Sequence, residues 1–411
     1  MKILHLVSQD SGGAGRAALR IHKALLNEHI DSIVLVQQKT TDQPGVMRLA
    51  KTKKEKIIEK IRPLLPLFFL LPYPQHHRDI FSPNPPSNRH LIKTILSLKP
   101  DLIHLHWINN GFLNIKDLAK INIPMLWSLH DANPYTGGCH IIPNECENFK
   151  THCQKCPFLH SNSIHDLSYF IFNKKAKIYP KLNLTINGLS KWITDCAKQS
   201  MLLKEKKIIN LPNCIDTQLY QPIPKSIARE ILNLQSSKKI ISFGAIDATS
   251  IDRKGYHQLK KALSLLKNKE NFKLVIFGAS QGESIEGIET LYLGHLSDDI
   301  SLKILYNASD VFVTPSLAEN LSNVIMESLA CGVPVVGFDI GGNSDMIEHK
   351  TNGYLARDHK DLADGIKWVL DLEQTDYDTL CKNARKKICT KFDSNIVSLE
   401  YIKTYKEILN D

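Results

Sequence analysis

Residues 310–339 read DVFVTPSLAENLSNVIMESLACGVPVVGFD. An apolar run, "DVFVTP" from Asp310, stops at Pro315. A helix-patterned stretch follows, a tight Cys-Gly-Val-Pro turn closes it, and a second apolar run, "VPVVGFD" from Val333, begins. Strand, helix and strand in that order make a βαβ unit, and two strands joined through a helix lie parallel. Neither run alternates with polar residues, so each strand is expected to be covered on both faces.

The same grammar runs through the chain. "KILHLVS" (Lys2–Ser8) precedes a helix-like run from Ala14 to about Asn27. Then come "SIVLVQ" at Ser32, "DLIHLHW" at Asp101, "IPMLWSLH" at Ile123 and "LTINGL" at Leu184. After a helical stretch, "SKWITDCAKQS", come "KIISFG" at Lys239, "FKLVIFG" at Phe272 and "TLYLG" at Thr290. These strands are too many for one sheet of ordinary size, and they fall into two groups. The fold class predicted is α/β, with two Rossmann-like, doubly wound parallel-sheet domains facing a cleft. Residues 1–190 form the first domain, with a Cys-rich insertion at 139–156. Residues 191–390 form the second, and 391–411 a C-terminal helix that packs back on the first.

The bulk properties agree with a two-domain globular chain. It has 411 residues, 43% of them hydrophobic and 23% charged, an ordinary balance for a protein with a sizeable core. No apolar run reaches the roughly 18–20 residues needed to span a bilayer. The N-terminus turns polar after a few apolar residues and reads as a strand rather than a signal peptide. The expected location is cytoplasmic. The net charge of +10 favours anionic partners such as nucleotides, phosphates or an acidic membrane surface. Basic residues are not interleaved with aromatics along a strand or groove face, so nucleic acid is not an expected partner.

Two glutamates in the opening stretch bear on function. Glu319 follows the strand that ends at Pro315, and ligands of open α/β sheets bind at that carboxyl edge. The helix is expected to start near Asn320–Ser322, where free N–H groups and the positive dipole end favour an anion. With Leu321 at zero and ~100° per residue, Val324, Ile325, Ser328 and Leu329 share a face, and Glu327 points away from it, towards solvent or a cleft. A phosphate at the helix tip with a carboxylate on either side would suit a sugar nucleotide. Two solvated surface charges would have the same spacing.

Several motifs, in order, carry a resemblance. The E-x7-E pair with "ACGVPVV" and Gly341–Gly342 resembles the signature of family-4 retaining glycosyltransferases with the GT-B fold. "SGGAGRAALRIHKAL" is similar to that family's first Gly-rich loop and helix, "LHDANPYTGGCH" to its acceptor-domain histidine region, "LPNCIDTQLYQP" to its PNGID element and "DRKGYHQLKKAL" to its Lys-Gly helix. The resemblance implies that Glu319 accepts hydrogen bonds from donor-sugar hydroxyls. The backbone of Asn320 and Leu321 would hold the diphosphate, Glu327 the ribose, and Lys254 would neutralise the leaving group. Gly12 and Gly13 would let the backbone approach the donor phosphates, and His130 would orient the reacting sugar or a nearby carbonyl. A phosphate-binding arginine, usual after the strand matching "ISFGAI", is replaced here by Ala245 and Ile246, and Arg253 is the candidate substitute. No enzymic nucleophile is implied, and no cofactor is required for catalysis.

Cys139, Cys146, Cys153 and Cys156 are spaced C-x6-C-x6-C-x2-C. The last pair is half of a tetrahedral zinc site, with His140 and His152 as alternative ligands; free thiols in a loop are the other reading. The segment "KTKKEKIIEKIRPLLPLFFLLPYP" joins a cationic run to Leu64–Leu71. It reads either as an interfacial membrane contact or as a buried segment capped by lysines. The function expected is retaining sugar transfer from a nucleotide-sugar donor to a glycan or lipid-linked acceptor in surface polysaccharide synthesis, at the inner membrane face. A nucleotide-sugar hydrolase or epimerase is the rival enzyme, and a nucleic-acid binder the rival from another class.

Overall fold

The computed structural model describes residues 1–75, 80–143, 146–234, 237–245, 247–296 and 298–410. It divides into two compact units. The first is Met1–Asn213 with Ser398–Asp411, the second Cys214–Val397.

The sheet of the first unit runs in the order β3-β2-β1-β4-β5-β6-β7. Its strands are β1 (Lys2–Gln9), β2 (Asp31–Gln38), β3 (Val46–Arg48), β4 (Leu102–Leu105), β5 (Met125–Leu129), β6 (Leu184–Gly188) and β7 (Lys207–Asn210). Every pairing is parallel. The second sheet runs β10-β9-β8-β11-β12-β13, from β8 (Lys239–Gly244), β9 (Phe272–Phe277), β10 (Glu289–Tyr292), β11 (Val311–Thr314), β12 (Val335–Phe338) and β13 (Gly353–Ala356). It too is parallel throughout. In both sheets the order reverses beside the first strand of the unit, between β1 and β4 and between β8 and β11. The crevice at such a reversal, outside the carboxyl ends, is where doubly wound sheets place ligands.

Local chemistry sets the helices between the strands. Ser190 caps the helix Lys191–Gln199, Asp298 the helix Asp299–Ala308 and Asp358 the helix His359–Leu370, each side chain accepting a backbone N–H of the first turn. Each unit has its own apolar core. Leu4, Ile103, Trp127 and Ile186 are fully buried in the first, and Ile241, Leu274, Val313 and Val336 in the second.

Three short strands, β3, β7 and β13, are absent from the sequence reading, and all three are sheet edges. Such strands carry too few apolar residues to show a period. With β7 paired to β6, the division between units falls at Asn213/Cys214 rather than after Ser190.

The strands also depart from the expectation of no polar face. His5, His104, His106, Ser128 and Asn187 are all buried within or beside β1, β4, β5 and β6. The last helix, Ser394–Asn410, satisfies part of this layer. Tyr405 Oη lies 2.8 Å from His104 Nδ1, and Tyr401 Oη accepts from Asn187 Nδ2 at 3.0 Å.

Candidate functional site

In the second unit the candidate site sits beside the strand-order reversal. The loop after β8 carries Arg253 and Lys254; the loop after β11 carries Glu319. Lys254 Nζ lies 2.6 Å from Glu319 Oε1, with both side chains mostly buried. Burial works against a charge on Glu319, but the Lys254 ammonium and its hydrogen bond outweigh it. With help from Ser316 and Arg253, they hold the carboxyl below its ordinary range. Arg253 also holds the loop, its carbonyl accepting the Leu317 N–H at 2.8 Å.

Two glycines let these segments meet. Gly255 has φ +77°, and a Cβ there would stand 1.8 Å from the Pro315 carbonyl oxygen. Gly341 has φ +53°, and its Cβ would stand 1.8 Å from the Glu319 carbonyl oxygen. Only glycine takes both the left-handed backbone and the contact. Gly342 then donates its N–H to the Asn320 carbonyl at 2.7 Å.

The helix after this loop is Asn323–Ala330, with Ser322 as its N-cap and no side-chain capping bond. Asn320 and Leu321 therefore lie in the approach to the helix, not in its first turn. Glu327 does not point to solvent. It is fully buried, and Tyr306 of the helix Asp299–Ala308 donates its hydroxyl to Glu327 Oε2 at 2.9 Å. The helical angle correctly separates Glu327 from the Ile325/Leu329 face, but a second helix packs on the other side too. Of the two residues in the usual arginine position, Ala245 follows β8, and Ile246 lies outside the described residues.

In the first unit, Gly12 and Gly13 open the helix Gly12–Asn27 directly after β1. His130 immediately follows β5, at the carboxyl edge. Burial lowers its pKa to about 4 against the pull of Asp131, so the ring is neutral at pH 7. Beside it, Asp131 Oδ2 accepts from Trp107 Nε1 at 2.6 Å and meets His140 Nδ1 at 2.5 Å. Behind it His106 Nδ1 lies 2.9 Å from His130 Nε2. The sequence reading missed His5, His104 and His106. Their signal was present, since "LIHLHW" places two histidines at i and i+2 inside an otherwise apolar strand.

The four thiols converge without forming a complete ligand set. Cys139 Sγ and Cys156 Sγ are 3.8 Å apart, the edge length of a tetrahedron with Zn–S of about 2.3 Å. Among the described residues, no three of the four sulfurs all lie within 4.8 Å of one another. Cys153 accepts the Gly137 N–H at 3.2 Å. The alternative ligands are engaged elsewhere: His140 with Asp131 and Ser82, His152 with the Cys153 carbonyl and Asn173. The Cys139/Cys156 pair packs in a small core with Leu70, Phe81, Leu159 and Ile171.

Residues 225–387, inside the second unit, match the family model described as glycosyl transferases group 1. An uncharacterized glycosyltransferase of Methanocaldococcus jannaschii is 26% identical over 75% of each chain. The capsular polysaccharide biosynthesis glycosyltransferase CapM of Staphylococcus aureus is 27% identical over 62% of this chain and 69% of its own. The N,N'-diacetylbacillosaminyl-diphospho-undecaprenol alpha-1,3-N-acetylgalactosaminyltransferase of Campylobacter jejuni is 31% identical over 51% of this chain and 57% of its own. Among solved structures, sucrose-phosphate synthase from Thermosynechococcus elongatus superposes with TM-score 0.70 at 18% identity, covering 100% of both chains. The fold is that of two parallel-sheet α/β domains, the GT-B architecture of that solved structure.

Proposed function

We propose that the chain transfers a sugar, with retention of anomeric configuration, from a nucleotide-sugar donor to a lipid-linked saccharide in surface polysaccharide synthesis. The observation that carries this is the Lys254–Glu319 pair beside the β8/β11 reversal. Breaking a sugar–phosphate bond leaves a nucleoside diphosphate whose growing charge needs cations or N–H dipoles already in place. Lys254 and Arg253 supply the cations, and the backbone of Asn320 and Leu321 the dipoles. Glu319, kept ionised by Lys254, is an acceptor for donor-sugar hydroxyls. Glu327 is assigned to the ribose, a role it would share with its bond to Tyr306. On the first unit, His130 at the end of β5 is the group assigned to orient the reacting sugar, and Gly12–Gly13 the backbone assigned to the donor phosphates.

The acceptor class rests on two observations. The Campylobacter relative is named for a diphospho-undecaprenol acceptor and the Staphylococcus relative for capsular polysaccharide. The chain itself exposes an unusual surface. In the helix Lys53–Ile61, the turn Leu65–Leu70 and the residue that follows it, Ile57 is 60% exposed, Phe68 66% and Leu71 73%. Ile58, Ile61, Leu64 and Phe69 are exposed beside them, among Lys53, Lys54, Lys56 and Lys60. The segment is pinned from below by Arg48–Glu59 at 2.6 Å and by buried Leu70. A monomer seldom leaves so many large apolar side chains in water, and apolar residues among lysines suit an anionic bilayer surface. No helix among the described residues is long and apolar enough to cross a membrane.

A thermal-shift screen of nucleotide sugars identifies the donor by its stabilisation of the folded chain. Turnover with that donor and a polyprenyl-diphosphate saccharide then tests transfer, and the anomeric configuration of the product tests retention. Donor cleavage at the same rate without acceptor would make the chain a hydrolase instead.

A further inference from the structure

Three rings form a line, of which the proposed function uses only His130. His5 Nδ1 lies 3.0 Å from His106 Nε2, and His106 Nδ1 lies 2.9 Å from His130 Nε2. These are hydrogen-bond lengths, so one proton stands between each pair. Burial, with the neighbouring imidazoles, lowers the pKa of His5 and His106 well below the ordinary value. Three neutral rings carry three N–H groups. Two occupy the two gaps. The third must stand at one end of the line, on His5 Nε2 or on His130 Nδ1.

His5 Nε2 decides between them. It is buried and has no hydrogen-bond partner among the described residues. A buried N–H without an acceptor forfeits its full desolvation cost, and such donors are rarer in proteins than unpaired acceptors. A bare lone pair is the cheaper occupant. The line then runs one way, with His5 Nδ1–H donating to His106 Nε2 and His106 Nδ1–H donating to His130 Nε2.

We propose that His106, backed by His5, is a positioning residue that fixes His130 as its Nδ1–H tautomer. His130 Nε2 is occupied as an acceptor, and the one N–H the ring has left is at Nδ1. The ring can then donate a hydrogen bond to an oxygen of the ligand but cannot take a proton from it at Nδ1. This rests on the proposed role of His130 and adds its direction.

The neighbouring rings do not interrupt the line. His104 is committed to Ser128 Oγ and Tyr405 Oη, both at 2.8 Å. His22 is committed to Ser32 Oγ at 2.7 Å and to the Pro44 carbonyl at 2.9 Å. Candidate ligand nitrogens of His5, His104 and His106 all lie within 4.8 Å of one another, close enough to hold a metal. A metal is the weaker reading. Two nitrogens on a tetrahedral zinc at about 2.0–2.1 Å would stand roughly 3.3 Å apart, farther than His5 and His106 do, and binding would cost His104 one of its hydroxyl partners.

The experiment is a long-range proton–nitrogen correlation on the whole chain with 15N-labelled imidazoles, His130 being assigned from its absence in His130→Gln. The expected result is a protonated Nδ1 and a bare Nε2 on His130, read without substrate. His106→Gln, whose amide can still donate, should keep that tautomer. His106→Leu should release it and lower kcat roughly tenfold to a hundredfold while leaving the donor KM in place. A protonated Nε2 on His130 in the unaltered protein overturns the proposal, whether or not any variant folds. So does a bound metal that is lost in His5→Phe. Sugar transfer with the wrong tautomer removes this inference alone. The right tautomer without sugar transfer removes only the reading of the reaction.

Discussion

Lys254 and Glu319 are 65 residues apart in sequence and 2.6 Å apart in space, joined at the ends of the neighbouring strands β8 and β11. A mostly buried carboxylate is stable there only while the ammonium is present. Lys254→Met should lower kcat by about a hundredfold to a thousandfold if the ammonium stabilises the leaving diphosphate. It should also raise the pKa of Glu319, because burial is then less opposed. In the unaltered chain the folded pKa is depressed, so the pair stabilises the fold above the ordinary carboxylate pKa. That contribution is lost as pH falls through the depressed value. In Lys254→Met burial is no longer outweighed, the folded pKa moves up towards or past the unfolded one, and this acid-side loss should shrink or reverse. Melting curves of both proteins between neutral and acid pH check the shift, and identical profiles would refute it.

Glu327 calls for a two-part measurement. Tyr306→Phe removes one hydrogen bond to a buried carboxylate and should cost about 1–3 kcal/mol of stability. Its donor affinity should hold. Glu327→Gln should weaken donor binding by roughly 1.5–3 kcal/mol, the contribution of a hydrogen bond to a charged group. Calorimetry giving both variants unchanged donor affinity would leave Glu327 as an internal acid of the helix pair.

The Cys139–Cys156 spacing suits two ligands of a zinc, but the other two sulfurs stand outside such a set. Reduced protein purified without chelator should hold about one zinc per chain, with Cys146 and Cys153 moving in as thiolates to complete it. Removing the zinc should expose thiols to alkylation and lower the melting temperature. Full thiol reactivity with no metal would make these cysteines core residues and nothing more.

The exposed lysine and apolar segment predicts reversible membrane binding. The chain should float with anionic vesicles and stay behind with neutral ones. Neutralising Lys53, Lys54, Lys56 and Lys60 should weaken binding by about 1 kcal/mol per charge. Phe68→Ser with Phe69→Ser should weaken it in a salt-independent way. Equal flotation on both vesicle types would disconnect the surface from anionic lipid.

The central strands were legible because a strand buried on both faces writes its burial as an unbroken apolar run. β11 and β12, which frame the quoted stretch, show this plainly. Edge strands β3, β7 and β13 were not legible, since they have few apolar residues and half their surroundings are loop or water. Glu319 could be placed from the strand end alone. Its partner could not, because a contact between residues 254 and 319 is made by the order of strands in the sheet. Glu327 shows the limit of a helical wheel, which says which residues share a face but not whether a second helix covers the opposite one. His106 shows the reverse case. A polar residue inside a buried strand was visible as an exception, but its meaning depended on His5 and His130, brought beside it by pairing across β1, β4 and β5.

The first unit is written in two pieces, residues 1–213 and 398–411, with the whole second unit between them. During synthesis its seven strands emerge first, but Tyr401 and Tyr405 emerge last. At ribosomal rates the wait is on the order of ten seconds or more. Through that interval His104 lacks its tyrosine hydroxyl, Asn187 lacks one of its acceptors, and the polar layer across β1, β4, β5 and β6 has no final helix above it. The second unit, contiguous from Cys214 to Val397, can close before the first is finished. The first unit is therefore expected to be completed only after the second, and a chain released with its end at Val397 should protect its second unit from protease while its first remains open to cleavage.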